Sequence, residues 1–449
     1  MFHRVLIASR GDAAHRVART CRQRGVVSIG LRPDSTGDTA GDARTPCDET
    51  VAVSADPRLP APPEVIIDAA RRARADAVHP GYASPDGHVP LARALEAADL
   101  PFIGADPDAA ELATNRASLR EAVTRARARM PEAAASVSST LAEALGAAEA
   151  LGYPVALWPT DLDAPRPVGP LSNPAALEDA WAAVERGGHA PALVEQTIAR
   201  PRILHVWILA DGHGAVAPLC ETERSVRIDG QTALEECPSP ELSIRSDGET
   251  IRSAAFDVAT RVAEELHCTG LITVELLLDV DRRLWVSQVS LGLPRLHAAC
   301  ERVTGVDLVA LQLELGAGEP IPPSVLAVQP SGHAFEVALL AARGSDLDAP
   351  MARVHFPPAP HRSVRVVPTV AAGARVPLDD RPLLARVSTF APIRHQAMLW
   401  LDRILAEHSF APVASNAPML RKILADHAFR AGQYDGSFFD RHILRKRGI

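Results

Sequence analysis

The chain has 449 residues, 47% of them hydrophobic and 23% charged, with a formal net charge of −8 at pH 7. That length calls for two to four structural units, and the acidic balance gives no electrostatic case for nucleic acid or an anionic membrane surface. Of the 47 basic residues, two are lysines, Lys422 and Lys446, so chemistry that needs a lysine before position 422 is excluded.

The first 112 residues read as alternating strands and helices. "HRVLIAS" is a short apolar strand, "RGDAAHRVARTCRQRG" has helical spacing and stops at Gly25, and "VVSIGL" is a second strand. Strand, helix and strand within about thirty residues make a βαβ unit. "DETVAVS" continues as a strand, "PPEVIIDAARRARA" as a helix opening on proline, "DAVHPGY" as strand and turn, "VPLARALEAADL" as a helix and "PFIG" as a strand. A parallel α/β domain over 1–112 is expected. Ser9 or Asp12 is expected to cap the first helix, and His79-Pro80-Gly81-Tyr82 to be a turn closing a parallel strand.

Residues 113–198 read as linker helices and a small subdomain ending near "PALVEQTI". In 199–327, "HVWILADGHGAVAPLCET" is two strands joined at Asp211-Gly212, and "LITVELLLDVDRRLWVSQVS" is a second hairpin turning near Val280-Asp281. Helical "GVDLVALQLELGAGE" follows, and 328–449 mixes strands and helices, with no internal repeat or low-complexity tail. The six cysteines, at 21, 47, 220, 237, 268 and 300, show no CxxC spacing and read as buried free thiols of a cytoplasmic protein. His267, Cys268 and Cys300 read as scattered core residues rather than a metal site. The N-terminus is too short in apolar residues for a signal peptide, and no run of the length needed to span a membrane occurs.

In order, "VLIASRGDAAHRV", "CDETVAV", "DAVHPGY", "PFIGADPDA", "LGYPVAL", "RPRILHVWILADG", "GLITVELLL", "TGVDLVALQLELGAGEPI" and "SGHAFEV" resemble the biotin carboxylase subunit of acyl-CoA carboxylases over essentially the whole chain. The resemblance implies an N-terminal α/β (pre-ATP-grasp) domain, an ATP-grasp module with a mobile lid, and a C-terminal biotin-carboxylase-type domain, usually in a homodimer. It also implies MgATP and bicarbonate as reactants and biotin on a carrier protein as acceptor.

The same resemblance shows departures at functional positions. Where the family's lid strand ends in an ATP-contacting lysine, Trp158 stands, and "PTDLDAPRPVG" replaces a phosphate-cradling glycine run. Proline has no N–H to donate, and Asp161 and Asp163 would repel phosphate. A second family lysine aligns with Arg116, which keeps the charge, and a Glu-Lys pair becomes Glu195-Gln196. A histidine and a lysine near the phosphates become Gly230 and Thr232. Of two magnesium-bridging carboxylates one survives as Glu275, and the other aligns with Gln288, a poor ligand for a divalent ion. In "SLGLPRLH" the family's asparagine becomes Ser290, its bicarbonate-binding arginine Gly292, its glutamine Pro294 and its general base Leu296, while His297 matches. Arg365 aligns with the arginine that steadies the biotin enolate, and Arg295 lies near enough to replace the lost arginine.

Losing two charge-assisted contacts to phosphate, at roughly 1.5–3 kcal/mol each, costs about 10²–10⁴ in affinity, which puts MgATP binding in the millimolar range. The reading that follows is a catalytically degenerate homologue (a pseudoenzyme) with no cofactor, scaffolding or regulating a carboxylase complex as homodimer or heteromer. Its partners would be an active biotin carboxylase, a biotin carrier protein and a carboxyltransferase. Two alternatives stand beside it: an enzyme whose cleft takes another small molecule through Glu275, Arg295, His297 and Arg365, and a still-active ATP-dependent biotin carboxylase. Trp158 either fills the nucleotide's volume or lines an apolar pocket, and Glu275 either binds metal or survives as a buried carboxylate with a new partner.

Overall fold

The computed structural model describes residues 1–33, 47–54, 61–84, 88–160, 168–228, 231–342, 344–347, 350–360, 362–376 and 382–444. The N-terminal part is a parallel sheet in the order Glu49–Val53, Val27–Pro33, Arg4–Ile7, Ala77–His79. Continuous apolar runs such as Val5-Leu6-Ile7 suit strands covered on both faces, and all three residues are fully buried. Helices Gly11–Gln23, Pro63–Arg72 and Val89–Ala97 pack on this sheet.

Two local expectations are corrected. "PFIG" is not a strand of the sheet: Phe102 makes an isolated parallel bridge to Val78, because the chain turns at once into helix Pro107–Thr114, capped by Asp106. The first helix has Arg10 at its N-cap and no side-chain cap. Asp12 is drawn away by Tyr82 and Arg386, as described below.

The lid subdomain is a three-stranded antiparallel sheet, Val168–Leu171, Val155–Pro159, Ala192–Gln196, backed by helices Leu141–Leu151 and Pro174–Arg186. Trp181 and Leu157 fill its core and are almost completely buried. The segment 161–167, with Asp161 and Asp163, lies outside the described residues, as does Gly230.

The remainder is organised by one eight-stranded antiparallel sheet. Its order is Leu284–Leu291, Gly270–Leu278, Arg202–Ala210, Val216–Glu223, Leu234–Cys237, His333–Leu340, Leu383–Ala391, Val364–Pro368. Both expected hairpins are present within it. Helix Gly248–Glu265 packs on one side of the first strands through Ala255, Ala259 and Val262. Helices Ala298–Thr304 and Leu308–Gly316 join the core shared with the N-terminal sheet, and Arg394–Glu407 joins that of the C-terminal part. All six thiols are free. Among the described residues no helix is long and apolar enough to cross a membrane.

Candidate functional site

Two groups of buried polar side chains stand out, one at the lid-side cleft and one where the N- and C-terminal parts meet. At the cleft, Asn115 caps helix Arg116–Arg125 by accepting N–H bonds from Ala117 and Ser118. That cap sets Arg116 on the first turn. Its Nε donates to Glu195 Oε2 at 3.1 Å, its Nη2 to Glu195 Oε1 at 2.5 Å, and its Nη1 to the Ser287 carbonyl. The Trp158 ring covers the guanidinium at 3.7 Å, a cation–π contact. Burial pulls the Arg116 pKa down, against the pull of Glu195. Arg120 also binds Glu195.

Trp158 therefore covers Arg116, and Arg116 meets a polyphosphate only by giving up part of this shell. Gln196 contributes its backbone N–H to the Glu132 carbonyl at 2.7 Å, and Thr232 sits opposite Arg227 in a two-stranded ribbon. Replacing Trp158 by Lys should tighten MgATP binding about 10- to 100-fold, since one charge-assisted phosphate bond is worth roughly 1.5–3 kcal/mol. Calorimetric titration of the variant against the native protein measures this.

Glu275 and Gln288 face each other on neighbouring strands. Glu275 is 2% exposed and already paired: it accepts from His205 Nε2 at 3.0 Å and from Arg227 Nη2. Burial alone would raise this carboxyl, but Arg227 and His205 outweigh it and hold the pKa well below the usual range. Burial and Arg224 push His205 down to about 3, so it is neutral and donates Nε2–H. Among the described residues, no three His, Cys, Asp or Glu side chains gather as metal ligands. As arranged, these residues do not fit a magnesium pair, because Glu275 is neutralised by Arg227 and Gln288 brings no charge.

Of the second group, the sequence pointed to His297, Arg295 and Arg365 but not to Arg16, Asp12, Glu336 or Arg386. Arg386, 4% exposed on strand Leu383–Ala391, pairs with Asp12 at 2.8 Å and Glu336 at 3.3 Å and donates to the Arg295 carbonyl at 3.2 Å. Tyr82 donates its hydroxyl to Asp12 at 2.6 Å, and its ring lies 5.9 Å from that of His297. Glu336 Oε2 accepts the backbone N–H groups of His297 and Ala298 at 2.7 and 2.6 Å, fixing the start of helix Ala298–Thr304. Burial pushes the Glu336 carboxyl up to about 7, even with Arg386 beside it. Arg16 donates Nε to His297 Nε2 at 3.2 Å and also binds Glu301 and Asp307.

His297 is fully enclosed, and burial, Arg386 and Arg16 hold its pKa well below the usual value. Its Nδ1–H points at the Pro294 carbonyl at 3.0 Å, leaving Nε2 as acceptor. Arg19 is pushed down to about 10 by burial and by the neighbouring Arg16 and Arg365. Arginines crowded at this point favour an anion.

The sequence candidates fare unevenly here. His297 is at the centre. Arg295 contributes its carbonyl while its side chain is exposed, so it does not replace an anion-binding arginine in this arrangement. Arg365 is at the rim, 43% exposed and 3.8 Å from Glu301. Leu296 is buried and gives its carbonyl to Arg224. Tyr82, expected as part of a turn, also enters the polar network. Arg16, Asp12, Glu336 and Arg386 had one readable signal: Glu336 and Arg386 are lone charges inside the apolar strands "HAFEVALL" and "LLARVSTFA".

Three sequence families match the chain in order: Biotin carboxylase, N-terminal domain, over residues 1–110; Carbamoyl-phosphate synthase L chain, ATP binding domain, over 115–323; and Biotin carboxylase C-terminal domain, over 350–441. The chain belongs to the biotin carboxylase family, with an ATP-grasp domain at its centre. It is 27% identical to the biotin carboxylase of Halalkalibacterium halodurans, covering 100% of this chain and 99% of that one. It is 29% identical to the biotin carboxylase of Nostoc sp., covering 97% and 98%. Among solved structures, the biotin carboxylase domain of a thermophilic 2-oxoglutarate carboxylase bound to bicarbonate superposes with a TM-score of 0.83 at 26% identity over 98% of both chains. The corresponding domain dimer from Hydrogenobacter thermophilus, in complex with MgADP, ADP and bicarbonate, reaches 0.88 at 24% identity, covering 98% of both, and supports the fold.

These matches correct the expectation of a catalytically degenerate, cofactor-free scaffold. Relatives aligned along nearly their whole length are named biotin carboxylase, which backs the alternative of an ATP-dependent biotin carboxylase. MgATP, bicarbonate and biotin are the reactants of that family.

Proposed function

We propose that the protein is an ATP-dependent biotin carboxylase with a divergent nucleotide site, working in a carboxylase complex. The carrying observation is the end-to-end match to proteins named biotin carboxylase. Arg16, Arg19, Arg365 and Arg386 converge with Glu301 and Glu336 on a pocket of about 10 Å³ beside His297, room for at most one water, so bicarbonate would be received at its mouth, where Arg365 is exposed. The divergence lies in Trp158, Gln288, Gly292 and Leu296, and no catalytic step is assigned to the metal because the residues present do not fit it. Partners under this reading are a second copy of the chain, a biotin carrier protein and a carboxyltransferase. Free thiols, buried at every position but Cys47, suit a reducing cytoplasm.

The test is phosphate release from several millimolar MgATP, with and without bicarbonate and free biotin. Bicarbonate-dependent hydrolysis stimulated by biotin is expected. A folded protein showing neither dependence overturns the proposal. A second reading, in which the cleft takes a different small molecule, is favoured by the closed shell of Glu195, Ser287 and Trp158 around Arg116. Under it, ligands without phosphates would bind and MgATP would not.

A further inference from the structure

Three thiols share the core between the central sheet and helix Ala298–Thr304. Cys220 lies on strand Val216–Glu223, Cys237 ends strand Leu234–Cys237, and Cys300 is on the first turn of the helix. They are 1%, 0% and 0% exposed. The Cys220 thiol donates to Cys300 Sγ at 3.1 Å, and the Cys237 thiol donates to the Glu221 carbonyl at 3.2 Å. A disulfide bond is about 2.05 Å long, so the Cys220 and Cys300 sulfurs are about 1 Å from bonding distance.

Burial raises all three thiols, Cys220 well above its usual value and Cys237 to about 11. Hydrogen bonding divides the close pair: the bond from Cys220 lowers Cys300, its acceptor, and raises Cys220, its donor. Cys300 is therefore the sulfur that ionises first and attacks, and Cys220 the one that resolves. Enclosed thiols are beyond the reach of bulky disulfide reagents and meet only a small neutral oxidant.

We propose that Cys300 and Cys220 form a disulfide modification site for a hydroperoxide of the size of hydrogen peroxide. The Cys300 thiolate attacks one peroxide oxygen, the O–O bond breaks, and the other oxygen leaves as hydroxide, which takes up the Cys300 proton to become water. Cys220 then attacks the resulting sulfenic acid: the S–S bond forms as the S–O bond breaks, and a second water leaves. Two thiols lose two electrons, and one peroxide is reduced to two waters. The new bond draws the first turn of the helix towards strand Val216–Glu223. Glu336 holds that turn through the N–H groups of His297 and Ala298, and Glu301, the next residue, pairs with Arg16. Close-packed interiors pass on such a shift, so oxidation displaces His297 and Glu301 beside the arginine pocket and stops turnover. That last step rests on the carboxylase reading; the disulfide does not.

The test treats the full chain with about 1 mM hydrogen peroxide, alkylates the remaining thiols in denaturant and maps peptides without reduction. A Cys220–Cys300 link, reversed by dithiothreitol, is expected, forming roughly tenfold faster at about pH 8 than at about pH 7 because the thiolate attacks. Cys220→Ala and Cys300→Ala should each lose it. Phosphate release by the native protein should fall at least about tenfold on oxidation, within the scale of a misplacement near 1 Å, and return with dithiothreitol, while both variants keep theirs in peroxide. Oxidation of the half-buried Cys47 with Cys220 and Cys300 still alkylated, or a link from Cys220 to Cys237, would overturn the site. A Cys220–Cys300 link that leaves phosphate release unchanged would overturn the shut-off. A chain with no phosphate release would count against the carboxylase reading, and the link would still decide the site.

Discussion

Glu236→Ala should destabilise the protein by about 3–5 kcal/mol, the cost of stranding a buried charge partner. Glu236 is fully buried on strand Leu234–Cys237. It accepts from Arg394 Nε at 2.7 Å and Nη2 at 3.1 Å, from His333 Nε2 at 2.8 Å, and from the Tyr434 hydroxyl. Removing it leaves the Arg394 guanidinium enclosed without its anion. The same cluster sets an acid limit. Burial would raise the Glu236 carboxyl, but Arg394 and His333 prevail and bring it from 4.5 down to about 2. The folded value is depressed, so the stabilisation is fully present above pH 4.5 and drains away as the pH falls toward 2, amounting to roughly 3 kcal/mol. Urea denaturation of native protein and variant across pH 2 to 7 checks both statements: the difference between them should shrink steadily below pH 4.5. A pH-independent difference would show that Glu236 acts by packing alone.

Arg386→Met should be comparably damaging, by about 3–5 kcal/mol, and should also abolish any biotin-stimulated turnover. Methionine keeps the length of the side chain but leaves Asp12 and Glu336 facing each other's surroundings without a cation. Glu336, already up at about 7 through burial, would then hold its proton to higher pH. Asp12→Asn combined with Arg386→Met should recover part of the lost stability, since it removes one of the stranded charges; recovery of turnover is not expected. A full recovery of both would show that Arg386 merely neutralises Asp12. Denaturation midpoints and phosphate release are the two readouts.

The architecture was readable because its signals are local. The alternation of apolar strands with helical spacing located the N-terminal sheet, and the two-residue rhythm around Asp211-Gly212 and Val280-Asp281 located the hairpins. "PFIG" misled because four apolar residues look alike whether a strand continues or turns into a capped helix. The site was less readable for a different reason. Asp12 and Arg386, 374 positions apart in sequence, meet through the packing of the N- and C-terminal parts, and no local pattern records that meeting. Asp12 next to Ser9 looks like a cap until a distant arginine claims it. Glu275 was open between metal ligand and structural carboxylate, and the deciding partners are cross-strand His205 and the ribbon residue Arg227. His205 did leave a trace, as the one imidazole in the otherwise apolar run "ILHVWILA".

The eight-stranded sheet carries one more consequence. Strand Leu234–Cys237 pairs at four positions with His333–Leu340 but at one with Val216–Glu223, so by hydrogen bonding it sides with the part of the chain that begins at His333 although it precedes that part in sequence. The narrow backbone join is closed by Arg202, which links Glu223, Glu241 and the Gly432 carbonyl and lies over the Tyr434 ring. If the chain were split in the loop before His333 and made as two polypeptides, the first would carry an orphan strand and the second a groove shaped for it. The halves would behave as donor and acceptor in strand complementation, reassembling by edge addition.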